Sequence, residues 1–418
     1  MIEFRCPQCQ RLLRIMAAAA GKQAQCPECR ASVIVPSTAA ATNAAPSESA
    51  PMLSPSPPLP SFGATSPAAP IAGTAQTFAP SSPPKPAAPL PSLPPAASSG
   101  QMTATKALFD RITAEIRKIY IGQDELVIGT LVALFSSGHV LIESVPGLGK
   151  TLFVRALGRV LGCRFGRIQF TADLMPSDIT GAPIFDMKTQ EFRFHPGPVF
   201  TQFLLADEIN RSPAKTHAAL LEIMQEYRVT VERTSHKLER PFLVLATQNP
   251  IESEGTYNLP EAQLDRFMFK IVAEYPSAEE ESQVLKMHSQ QVDLDQRLAD
   301  DLQTITSPQE IVATTKSCGQ VHVDDKLIEY INTLVRRTRE WPQFHMGASP
   351  RAGIALVQGA RTLAAFYGRD YAVPDDVVQI ALPALRHRVI LTAEADVEGQ
   401  KVDDLLRELV RTVEVPRL

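Results

Sequence analysis

The run from His139 to Leu161 constrains this chain most. It reads as a short apolar strand, Val140-Leu141-Ile142, then a glycine-rich turn, then an amphipathic stretch. In that stretch Phe153, Ala156, Leu157, Val160 and Leu161 recur at helical spacing, so Lys150 to Leu161 reads as a helix with one buried side. Strand, glycine-rich loop and helix together are the context in which a backbone cradles phosphates. Gly147 and Gly149 let N–H groups approach closely, and the helix N-terminus adds partial positive charge. Lys150 can reach β- and γ-phosphate oxygens, and the Thr151 hydroxyl can ligate magnesium. The candidate phosphate loop is therefore Ser144-Val145-Pro146-Gly147-Leu148-Gly149-Lys150-Thr151-Leu152. The usual spacing, G-x-x-x-x-G-K-[ST], has glycine where this chain has Ser144. Serine is small and sits at a strand end, so altered affinity is expected rather than loss.

A second motif makes an accidental glycine-rich turn a poor alternative. Phe203-Leu204-Leu205-Ala206 is a buried strand that delivers Asp207 and Glu208 at its C-terminal end, where ligands of open α/β sheets bind. Asp207 is the candidate for the magnesium shell, and Glu208 for polarising the attacking water. A third buried run, Leu243 to Thr247, ends in Gln248-Asn249. Asn249 is a candidate γ-phosphate sensor, with a turn residue before Pro250 as the plainer alternative.

Further strand-like runs lie at Arg167–Phe170, Phe242–Ala246 and Phe267–Val272. Apolar on both faces and separated by helical stretches, they predict an α/β fold: a parallel sheet with helices on both sides. From Ser277 onward the periodicity is helical, with a capping box at Ser277 and Glu280 and a cap plus proline at Ser349-Pro350. The expected division is a core over 102–275 and a helical lid over 276–418.

Three blocks carry a family resemblance: Asp207-Glu208-Ile209-Asn210-Arg211, Ala246-Thr247-Gln248-Asn249-Pro250, and Glu254-Gly255-Thr256-Tyr257-Asn258-Leu259-Pro260-Glu261-Ala262-Gln263-Leu264-Asp265-Arg266-Phe267. They closely resemble MoxR-type AAA+ ATPases, over roughly Ala104 to the C-terminus. The resemblance implies a doubly wound P-loop core with a helical lid, ATP hydrolysis with Mg²⁺, and a homo-oligomeric, hexameric ring with sites between subunits. It marks Arg266 as an arginine finger offered to a neighbour, with an ion pair to Asp265 as the alternative. Arg211 is a further interface candidate. It also marks Arg351 as the lid residue that senses nucleotide. A cation in a helix's first turn opposes the macrodipole, a conflict that a bound anion would relieve, although an exposed arginine there costs little. Ile121-Gly122 resembles the segment against adenine, or is a plain interhelical loop. The hairpins expected at Ile179–Val199 and Tyr227–Pro241 are candidate substrate contacts or edge decoration. Proteins like MoxR partner with von Willebrand factor A-domain proteins, which implies a protein client. A DNA-remodelling motor and an ATP-gated scaffold are the competing readings.

The first hundred residues lie outside that resemblance. Cys6-Pro7-Gln8-Cys9 and Cys26-Pro27-Glu28-Cys29 stand sixteen residues apart, the spacing of a zinc ribbon over 1–36. Four thiolates would close a structural Zn²⁺ site; two disulfides or an iron–sulfur site are the alternatives. Seventeen of the 35 prolines fall between Pro36 and Pro95, where Glu48 and Lys85 are the only charged residues. That composition predicts a disordered tether over 37–101, or a proline-rich docking ligand. A net charge of −4 argues against nucleic acid as the main partner, and the apolar runs are too short to span a bilayer. The N-terminus lacks a secretory pattern, so the cytoplasm is the expected compartment.

Overall fold

The computed structural model describes residues 2–5, 12–15, 21–26, 29, 31–34, 100–145, 147–249, 257–289 and 294–417. The chain divides into two units, Met1–Pro89 and Leu90–Leu418. The first contains two antiparallel hairpins. Strand β1 (Ile2–Arg5) pairs with β2 (Leu12–Ile15), and β3 (Gln23–Gln25) with β4 (Ser32–Ile34). The turn after β3 is closed by the Cys26 N–H donating to the Ala31 carbonyl at 2.9 Å. Cys6, Cys9 and residues 37–99 of the tether expected over 37–101 lie outside the described residues, while Gly100 and Gln101 already belong to a helix.

The second unit opens with α1 (Gly100–Ile116) and α2 (Asp124–Phe135), followed by β5 (Val140–Ser144) and α3 (Lys150–Val160). Edge strand β6 (Phe165–Gln169) leads through α4 (Pro176–Thr180) into a hairpin, β7 (Gly181–Asp186) and β8 (Glu191–Pro196). Then come β9 (Phe203–Asp207), a 3-10 turn, and α5 (Ala214–Glu226). A second hairpin, β10 (Arg228–Val231) with β11 (Thr234–Lys237), precedes β12 (Leu243–Gln248). The core closes with α6 (Glu261–Leu264) and β13 (Phe269–Ala273).

Five strands form one parallel sheet in the order β13-β5-β12-β9-β6. Alternate residues of the central strands join two different apolar clusters, because successive side chains of a strand point to opposite faces. Val140, Ile142, Phe203, Leu205, Leu243 and Leu245 belong to the apolar cluster shared with α1, α2 and α3. Leu141, Leu204, Ala206, Val244 and Ala246 belong to the cluster shared with α5. Both faces are covered, as the continuous apolar runs require. His139 pins the sheet's entry: its Nδ1 accepts from the Val244 N–H at 3.0 Å, and its Nε2 donates to the Met224 carbonyl at 3.1 Å.

Beyond β13 the chain is helical: α7 (Ala278–Ser289), α8 (Leu294–Asp300), α9 (Pro308–Cys318) and α10 (Asp325–Glu340). After β14 (Phe344–Met346) come α11 (Pro350–Phe366) and α12 (Pro374–Leu385). The end of the chain is β15 (Ile390–Leu391), α13 (Ala393–Val397) and α14 (Val402–Thr412). Ser277 and Glu280 exchange the hydrogen bonds of a capping box, and the Ser349 hydroxyl caps α11 at the Arg351 N–H. Phe109 of α1 stacks on Phe366 of α11 at 4.1 Å, joining the core's first helix to the lid. Among the described residues no helix is long and apolar enough to cross a membrane.

Candidate functional site

The phosphate loop starts where β5 ends, at Ser144, and runs into α3. Gly147 and Gly149 hold φ of +90° and +70°, a left-handed backbone that a side chain disfavours. An added Cβ at Gly147 would meet open space, so conformation rather than crowding requires glycine there. Lys150, the first residue of α3, folds its ammonium back into the loop. It donates to the Ser144 hydroxyl at 2.8 Å and to the Val145 carbonyl at 3.3 Å. Burial lowers the Lys150 ammonium below its ordinary range, while the Asp207 and Glu208 carboxylates pull the other way. The departure from the usual glycine is thus a polar contact to the lysine. Pro146 lies outside the described residues.

The carboxylates arrive from the adjacent strands. Parallel register sets Leu205 beside Leu245 in sequence-distant strands, which brings Asp207 level with Thr247. The Thr247 hydroxyl donates to Asp207 Oδ1 at 2.6 Å and accepts from the Glu208 N–H at 2.9 Å. Glu208 turns out of the strand at a φ of +54°. Asn249 is buried one residue past the end of β12.

Two further residues come from the edge strand β6, and sequence reading missed both. Arg167 Nη2 pairs with Asp207 Oδ2 at 2.7 Å. Gln169 Nε2 donates to Glu208 Oε2 at 2.8 Å, and Arg211 Nη1 lies 3.2 Å from the same oxygen. The run Arg167–Phe170 was legible as a strand, but its place beside β9 follows only from the sheet order.

The Ile121-Gly122 segment is half-buried beside this loop. The preceding Tyr120 donates from its hydroxyl to the Leu148 carbonyl at 3.4 Å, and its ring tilts against Phe153 at 4.9 Å. Burial pushes the Tyr120 phenol up to about 12. Gly122 has a φ of +74°, and a Cβ there would meet the Glu280 carboxyl at 2.8 Å.

Asp265 does not pair with Arg266. Its carboxylate is taken by the lid: Arg388 Nε donates at 2.8 Å, the Ser349 hydroxyl lies 2.9 Å from both oxygens, and Arg351 Nη1 lies 3.5 Å from Oδ2. The anion that relieves the cation in the first turn of α11 is therefore supplied by the protein itself. Arg266 lines a surface pocket with Ala218, Glu222 and Gln225 of α5 and makes no ion pair among the described residues. That pocket contains none of the phosphate-loop residues.

The residues present fit a nucleotide with its metal. The loop offers glycine backbone and a half-buried ammonium, and Thr151 and Asp207 provide the hard oxygen donors that magnesium prefers. When bound, Mg²⁺ would neutralise charge on the phosphates. Glycine loop, strand-end carboxylates and helical lid together define a P-loop ATPase. Residues 139–269 match the model for the ATPase family associated with various cellular activities (AAA), and residues 336–409 match the AAA lid domain. The chain is 43% identical over 309 residues to the uncharacterised protein YeaC of Bacillus subtilis, covering 74% of this chain and 95% of that one. It is 43% identical to Chaperone MoxR1 of Mycobacterium tuberculosis, covering 78% and 86%, and 32% identical to Protein MoxR of Methylorubrum extorquens, covering 73% and 94%. A crystal structure of an ATPase candidate from Cytophaga hutchinsonii superposes with a TM-score of 0.70 at 39% identity, covering 76% and 97%. The chain belongs to the MoxR family of AAA+ ATPases, and ATP hydrolysis is its chemistry.

The hairpins appear at β7–β8 and β10–β11. Phe185 and Phe192 meet edge to face at 5.2 Å on β7–β8, with Met187 exposed at its tip. Pro250 to Thr256, which carry part of the family block, lie outside the described residues. So do Cys6 and Cys9. Among the described residues no three metal-ligating side chains gather.

Proposed function

We propose that this MoxR-type AAA+ chaperone works as a homo-oligomeric, hexameric ring that spends ATP on the conformation of a protein client. The observation that carries this is the meeting of Lys150, Asp207, Glu208 and Asn249 at the C-terminal edge of one sheet. In this reading Gly147 to Thr151 bind the phosphates, Asp207 and Thr151 hold the metal, and Glu208 takes a proton from the attacking water. Asn249 orients that water, Arg351 senses the nucleotide from the lid, and Arg266 completes the site of the next subunit. Ile121 and Gly122 flank the base. Support for Arg266 acting in trans is its pocket on the exposed side of α5, which holds none of the phosphate-loop residues, and its Nε, which is buried with no hydrogen-bond partner among the described residues although Glu222 and Glu226 line the same pocket.

The client is a protein, with von Willebrand factor A-domain proteins the first class to test, and the compartment is the cytoplasm. The N-terminal unit is a zinc ribbon that recruits a partner through the tether. Its support is that each Cys-x-x-Cys falls between the two strands of one hairpin, Cys6 and Cys9 after β1, Cys26 and Cys29 after β3. Thiolates in a closed set of four suit zinc.

The decisive experiment mixes Arg266→Ala with Lys150→Ala subunits. Recovery of ATPase activity above either parent supports a shared site, and none at any ratio overturns it. Proteins captured on Glu208→Gln in ATP, and absent from Lys150→Ala, identify the client. One zinc per chain, lost in Cys26→Ser, tests the ribbon; a metal-free chain that still folds its N-terminal unit sinks it.

A further inference from the structure

Arg388 is buried, and its guanidinium is bound almost entirely to the turn that carries Arg266. Besides the Asp265 carboxylate, Nη2 donates to the Asp265 carbonyl at 3.1 Å and to the Phe267 carbonyl at 2.6 Å. Nη1 donates to the Met268 carbonyl at 3.1 Å and to the Ala384 carbonyl. Carbonyls on both sides of Arg266 are thus held by one rigid fork. A buried guanidinium is tolerated only when its donors are met, so the turn and the arginine hold each other in place.

The same Asp265 carboxylate receives two groups from the start of α11, Ser349 and Arg351. The Ser349 contact is tight, whereas Arg351 is half-exposed and 3.5 Å away. An anion in the chain's own nucleotide site would compete with Asp265 for that loosely held cation.

We infer that Arg388 and Asp265 are positioning residues for Arg266. Through Ser349 and Arg351 on the shared carboxylate, they link the lid over a subunit's own nucleotide to the arginine offered to its neighbour. This rests on the reading of Arg266 as an arginine acting in trans. Neither Arg388 nor Asp265 takes part in the chemistry. They act by fixing backbone, and misplacement of a reacting group by about 1 Å can cost roughly a hundredfold in rate.

The test uses Asp265→Asn in the full chain, with Arg388→Lys as a second variant should the first unfold. Each is first assayed alone for affinity to a fluorescent ATP analogue and for kcat. Expected is a fall in kcat of about a hundredfold with affinity retained in Arg388→Lys and retained or tightened in Asp265→Asn, because the phosphate loop is intact and loss of the Asp265 charge releases Arg351. Each is then mixed with Glu208→Gln subunits, which have an intact Arg266 but no competent Glu208. Recovery of activity in the mixture supports the inference, since the variant's own site now receives a well-placed arginine from its neighbour. Arg266→Ala mixed with Glu208→Gln is run in parallel. If that mixture recovers and the Asp265→Asn and Arg388→Lys mixtures do not, the positioning role is overturned while the trans arginine stands. If none recovers, both fall.

Discussion

The Lys150 ammonium rests on the Ser144 hydroxyl at 2.8 Å, within one loop and six residues apart. The contact gives the cation an acceptor inside a loop that partly desolvates it. Phosphate oxygens would replace that acceptor, so the hydroxyl competes with the nucleotide rather than assisting it.

Ser144→Ala should therefore leave ATP affinity unchanged or tighten it by up to about tenfold, since a hydrogen bond nets only about 0.5–1.5 kcal/mol and its loss frees the lysine. Lys150→Ala should abolish measurable binding. Titration with a fluorescent ATP analogue checks both. A tenfold or larger loss in Ser144→Ala would mean that the hydroxyl contacts the nucleotide.

Arg167 occupies one oxygen of the carboxylate expected to face magnesium. Arg167→Ala should lower the Mg²⁺ concentration needed for half-maximal ATP binding. The pair is half-exposed on the arginine side, so its worth is about 0.2–1 kcal/mol, or roughly 1.5- to 5-fold. A Mg²⁺ titration of analogue binding reads this directly, and a higher requirement would show that Arg167 assists the metal instead.

Glu208→Gln keeps the length and polarity that Gln169 and Arg211 contact. ATP binding should persist while turnover falls by about 10²–10⁴, the range for removing a general base. Single-turnover hydrolysis separates this outcome from a loss of binding. An unchanged rate would move the base to another residue.

Thr247 serves both carboxylate residues from a position 1% exposed. Thr247→Val keeps the shape and strands Asp207 Oδ1 and the Glu208 N–H. The expected loss of stability is about 1–3 kcal/mol, measured by urea denaturation without nucleotide. A neutral result would show that water reaches both groups.

Stability should fall with acid through the histidines. Burial lowers His139 to about 4 and His387 well below its ordinary value, so both stay neutral in the fold. The unfolded chain binds their protons from about pH 6.5 downward, so stability is complete above that pH and is lost as pH falls toward 4. For His139 alone the loss between pH 7 and 5 is about 2 kcal/mol. Urea midpoints at the two pH values measure it, and His139→Gln should flatten the slope. An unchanged slope in that variant would place the titration elsewhere.

Much of the site was legible because its chemistry is local. A glycine at positive φ, a lysine at a helix start and two acids at a strand end each occupy a few consecutive residues. Helix α2 left a weaker trace: Leu126, Val127 and Thr130 to Phe135 are buried, so no polar stripe marks its period. The conflict at Arg351 is real, but its resolution by Asp265 could not be read, since the two residues stand far apart in the sequence.

By itself the sequence determined the strand–loop–helix, the two carboxylates, the amide after β12 and the helical nature of the lid. Period and backbone conformation act between near neighbours, and they are written in consecutive residues. Tertiary structure alone decided which groups hold those residues. Gln169 reaches Glu208 across 39 residues because β6 lies beside β9, and Arg388 reaches Asp265 across 123 because α12 ends against the core. Such partners follow from sheet order and helix packing, which bring together side chains that no local pattern relates.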